Sequence, residues 1–86
     1  MTTTSPRLQH LTDTVLDMWA HVRGLERLLT EGQTHWEDMP IRDHLQLAYT
    51  ALLFRARQLE KHTGGDTWSA SAIRTATNGL ANLGRG

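Results

Sequence analysis

The sequence predicts an all-α protein: a long antiparallel helical hairpin with a shorter third helix packed across it, a three-helix bundle that dimerises. Three observations carry this. Leu8, Leu11, Val15, Met18, Val22, Leu25 and Leu29 recur at alternating steps of three and four, an unbroken heptad seam. With Leu45 at the centre of a helical wheel, Ile41, Ala48, Tyr49, Leu52, Leu53, Ala56 and Leu59 fall within one broad arc. Two joints, the polar EGQTHWEDM and Thr63-Gly64-Gly65, separate these stretches from each other and from the remainder.

The elements follow in order. Residues 1–5 form a disordered tail, and 6–86 make a single helical domain. Ser5 and Pro6 supply an N-cap and a proline at the first helical position, where a missing N–H costs nothing. Helix one runs over 6–30 and stops at Gly32, the natural left-handed C′ residue. Gly24 interrupts it at a cost of about 1 kcal/mol relative to alanine, yet the seam continues on both sides, so the helix continues too. A glycine there offers a close approach to a neighbouring helix. Pro40 opens helix two, capped by Asp38 or Met39 and reaching Lys61. Asp66 or Thr67 caps helix three, over 67–83, with Ile73, Ala76, Leu80 and Leu83 as its seam. Asn78-Gly79 is also a turn signal, but the seam favours continuation.

Size and composition bound the function. An 86-residue chain with 38% apolar residues and no cysteine has a small stability margin, and neither disulfides nor thiolate metal sites to supplement it. Oligomerisation is the expected supplement. Nine basic and nine acidic side chains balance, which argues against nucleic acid as the main partner. The N-terminus lacks a signal peptide's basic flank and apolar run, and the longest apolar run, 51–54, is far short of a membrane span. The expected compartment is the cytoplasm, with no membrane association.

Chemistry-bearing motifs are scarce. His10, Asp17 and His21 point to one flank of helix one, and Glu31, His35, Glu37 and Asp38 cluster in the first joint. No HExxH or paired ExxH spacing converges on a metal, so these read as solvated polar residues; no metal and no cofactor are expected. No nucleophile elbow or phosphate loop occurs, and the chain is not expected to be an enzyme.

Two function classes remain. Helix two, a glycine turn and a third helix carrying Ser69, Ser71 and Arg74 loosely resemble helix-turn-helix order, which would imply a small DNA-binding regulator. Helix two is too long for that unit, no wing strands follow, and helix three has one basic residue before Arg85. The favoured expectation is a small non-catalytic protein-binding module, an adaptor, regulator or inhibitor. Leu47 and Phe54 lie one heptad apart, nearly opposite Leu45, with Ala51 between them, on a face a three-helix bundle does not need. Leu16, with Trp19 at the seam edge, makes a smaller version on helix one, and Trp36 in the joint is either a lid over the bundle end or an exposed anchor. The predicted protein-binding residues are therefore Leu16, Trp19, Trp36, Leu47, Ala51 and Phe54, and the predicted partners another protein and a second copy.

Overall fold

A computed structural model describes residues 6–63 and 67–84 of the chain; the N-terminal tail and the cap expected at Asp66 lie outside the described residues. Helix α1 spans Pro6–Thr30, a two-residue strand β1 His35–Trp36 pairs with β2 Met39–Pro40, and helices α2 and α3 span Ile41–Thr63 and Thr67–Gly84. The all-α prediction holds, with α2 in the middle, packed on α1 along one flank and α3 along the other.

α1 is continuous through Gly24 and buries the expected seam: Val15, Val22 and Leu25 are solvent-free, and Leu8, Leu11, Met18 and Leu29 pack against them. It ends as glycine at C′ dictates. Gly32 takes φ 86°, its N–H reaches the Leu29 carbonyl at 3.1 Å, and the Gln33 N–H reaches Leu28 at 2.9 Å, which closes a Schellman motif. Gly24 does not mediate a close approach: a Cβ there would meet nothing within 4 Å.

The first joint is not an irregular loop. Trp36 pairs with Met39 and His35 with Pro40, so Glu37 and Asp38 form a two-residue hairpin turn. Both have positive φ, 48° and 67°, the left-handed pair a type I′ turn requires. Glu-Asp is a poor substitute for the usual Asn-Gly, so periodicity gave no sign of the ribbon. Pro40 consequently lies in β2 and not in the first turn of α2, and Asp38 is spent on the turn and not on a cap. The Ile41 N–H donates to the Thr34 carbonyl at 2.8 Å, so the ribbon satisfies the first open donor of α2.

α2 buries Ile41, Leu45, Tyr49, Leu52, Ala56 and Leu59, with Ala48 and Leu53 beside them, as the helical wheel predicts. α3 runs through Asn78-Gly79 unbroken, but its seam differs from the expected one. Its buried line is Ser69, Ala72, Ala76 and Gly79, while Ile73, Leu80 and Leu83 flank it partly buried. The small residues bring the α3 backbone against the Tyr49 ring, so close that a Cβ on Gly79 would sit less than 3.0 Å from three ring carbons. Gly79 is there for proximity and not for a turn. At the far end the Arg42 guanidinium donates to the Leu83 carbonyl at 2.9 Å and closes the α3 C-terminus. Trp19 and Trp68 stack with centroids 6.2 Å apart and planes at 12°, which ties α1 to α3.

Candidate functional site

Once α2 has committed one face to α1 and α3, the middle of its opposite face is left exposed among the described residues. Leu47 and Phe54 lie there, 61% and 60% exposed, and with Leu16 at 47% they are the exposed large apolar side chains among the described residues. Thr50 sits between them. Its hydroxyl donates to the Gln46 carbonyl at 2.8 Å, which turns the polar end onto the helix backbone and makes the stripe more apolar than its letters suggest. The Arg55 guanidinium lies 5.7 Å from the Phe54 ring centroid, and its Nη1 donates to Gln58 Oε1 at 3.0 Å. Phe54 therefore has a planar cation on one side and solvent on the other.

The stripe is polar at its ends. Counting threes and fours along α2 from Asp43 gives Leu47, Thr50, Phe54, Arg57 and Lys61, all exposed. Its N-terminal end is acidic and its C-terminal end basic. Ala51 is half-buried at the edge of this face, where it enters a groove of about 280 Å³ shared with Asp17, Met18, His21 and Ala48.

The remaining predicted residues lie elsewhere. Leu16 projects on the side of α1 nearest Trp19, separated by about 140° on the helix from the His21 flank that borders the groove, so it is not continuous with Leu47 and Phe54. Trp19 belongs to the interior stack with Trp68, and its indole N–H is buried without a hydrogen-bond partner among the described residues. Trp36 packs against the core and sets its edge against His44, centroids 6.3 Å apart, which is the lid position.

Two arrangements escaped the sequence reading. His21 of α1 meets His44 of α2, with Nε2 atoms 3.2 Å apart and rings edge to face. Nothing in the linear spacing marks a pair 23 residues apart. Inside the bundle, the Tyr49 hydroxyl donates to Glu26 Oε2 across the α1–α2 boundary. Burial raises the phenol well above its ordinary value, Glu26 raises it further through the hydrogen bond and its charge, and Arg23 opposes both. Arg23 in turn pairs with Glu26 Oε1 at 3.1 Å. This polar triad positions Tyr49.

Among the described residues no helix is long and apolar enough to cross a membrane. No protein-family model matches the chain, and neither a curated protein nor a solved structure matches it.

Proposed function

We propose that the chain is a small non-catalytic protein-binding module whose contact surface is the outer face of α2, and that the surface is occupied by a second copy of the chain. The observation that carries this reading is the apolar stripe of Leu47, Thr50 and Phe54, exposed on a helix whose other face is already filled.

The face is complementary to itself. An antiparallel pairing that sets Leu47 of one copy opposite Phe54 of the other brings Asp43 opposite Gln58, one residue from Arg57 and three from Lys61, or about 1.5 and 4.5 Å along the axis. Acidic end then meets basic end twice, as a two-fold interface requires. A parallel pairing would oppose Asp43 to Asp43 and Lys61 to Lys61.

The magnitude sets the strength. Burying the exposed part of one leucine and one phenylalanine contributes roughly 1–2 kcal/mol each, so four such side chains give roughly 4–8 kcal/mol. Association costs about 4–15 kcal/mol, so at most about 4 kcal/mol remains and the contact is weak and reversible, in the millimolar range. Such a dimer can open to admit another protein with an apolar helix on the same face, as an adaptor or inhibitor must.

Sedimentation equilibrium with circular-dichroism melts tests this. Wild type should show a concentration-dependent monomer–dimer equilibrium, and Leu47→Ser with Phe54→Ser should be monomeric and still melt cooperatively. A wild type that stays monomeric into the millimolar range, or a double variant that unfolds, contradicts the reading.

A further inference from the structure

We propose that His21 and His44 form a two-nitrogen site for a borderline divalent transition cation, Zn²⁺ foremost, that pins α1 to α2. The observation is independent of the outer face of α2, and either proposal can fail alone.

The pairing is cross-helix and close: Nε2 to Nε2 is 3.2 Å, with His21 on α1 and His44 one turn into α2. Two imidazole nitrogens bound to one tetrahedral zinc at about 2.0–2.1 Å stand about 3.3 Å apart. The pair therefore already has the spacing of adjacent ligands. Without a cation, that distance is a hydrogen bond in which one ring donates and the other accepts; when the cation takes the place of that proton, the donor ring carries it on Nδ1 instead and both Nε2 lone pairs face the cation.

The rings are held. Trp36 sets its edge against His44, and the ribbon that carries Trp36 is fixed to the start of α2 through the Ile41–Thr34 hydrogen bond. His21 sits on the rigid middle of α1, and the site opens to solvent beside the groove that Asp17 borders. Imidazole pairs select zinc, copper or nickel over magnesium and calcium, which prefer oxygen. Among the described residues no group of three or more His, Cys, Asp or Glu side chains could hold a metal, so the protein supplies two ligands and water the rest. That makes a dissociable site, one that adds a cross-link to a bundle of small stability margin.

Thermal melts of the full chain with and without zinc chloride test this, using wild type, His21→Gln, His44→Gln and the control His10→Gln. The cation binds only the folded spacing. At zinc tenfold above Kd, the wild-type and His10→Gln midpoints should rise by roughly 6–11 °C, and magnesium should raise neither. Both His21→Gln and His44→Gln should lose the rise. No rise in wild type, or a rise that survives both substitutions, overturns the proposal. Imidazole nitrogen spectra of wild type, which need no variant, should show zinc moving the Nε2 signals of His21 and His44 alone; movement centred on His10, His35 or His62 instead overturns it.

Discussion

Gly79→Ala and Gly24→Ala are the same chemical change in two helices, and the structure gives them opposite signs. Each replaces a helical glycine by alanine, which in an open helix gains about 0.5–1 kcal/mol from lower backbone entropy in the unfolded chain. At Gly24 the new methyl meets nothing within 4 Å, so that gain stands and the midpoint should rise by roughly 2–8 °C. At Gly79 the methyl falls less than 3.0 Å from three carbons of the Tyr49 ring. The ring cannot yield cheaply, because it is 4% exposed and its hydroxyl is bonded to Glu26. Overpacking costs about 1–3 kcal/mol, and displacing the ring forfeits about 1.5–3 kcal/mol more from a hydrogen bond to a charged acceptor. Against the propensity gain, the net is a loss of about 1.5–5.5 kcal/mol. At 2 kcal/mol the midpoint falls by roughly 8–16 °C for a domain of this size. Urea titration with circular dichroism measures both variants, and Tyr49→Ala with Gly79→Ala should be less destabilised than the sum of its parts. A Gly79→Ala protein as stable as wild type would refute the close approach of α3 to α2.

Three further outcomes follow from the same packing. Val22→Asp places a carboxylate at a solvent-free position without a partner, at a cost of several kcal/mol, and should abolish the cooperative circular-dichroism melt. Tyr49 has a raised folded-state value, so its contribution is fully present below the ordinary tyrosine value near 10 and is lost as pH rises above it. Urea midpoints measured from pH 8 to 11 should fall more steeply for wild type than for Tyr49→Phe, which at pH 8 is less stable by about 1.5–3 kcal/mol. A fluorescence titration with random duplex DNA at physiological salt should show no saturable sub-micromolar binding, since the basic and acidic side chains balance; binding abolished by Arg74→Ala would restore the helix-turn-helix reading.

What was legible in the sequence was whatever periodicity encodes. The seams of α1 and α2 are read from leucine and valine spacing because burying those side chains is what the helices are for. The α1 stop was legible because one residue type, glycine, fits the left-handed position of Gly32. Legibility ends where proximity replaces side-chain volume. The α3 seam is made of serine, alanine and glycine, which carry little hydrophobic signal, so the larger Ile73 and Leu80 shift the hydrophobic pattern to its flank. The β1–β2 ribbon was hidden because Glu37 and Asp38 hold a backbone conformation that neither favours. Tertiary pairing decides there against local preference. The outer face of α2 could be found, since Leu47 and Phe54 break the pattern, but its continuity through Thr50 depends on where that hydroxyl points. The His21–His44 pair depends on how two helices are set against each other, which one-dimensional spacing does not hold.

In the proposed dimer two copies meet antiparallel on the outer face of α2, with the two-fold axis between Thr50 and Ala51. The chain has no cysteine, so a single one reports on that axis without competition. Thr50→Cys lies beside the axis, and Arg74→Cys, exposed on α3, lies away from it. Under mild oxidation at about 1 mM, where the contact is substantially populated, Thr50→Cys should form a disulfide-linked dimer with its helical circular dichroism intact, and Arg74→Cys should remain largely monomeric. A Thr50→Cys protein that stays monomeric, or cross-links no faster than Arg74→Cys, would rule out this interface.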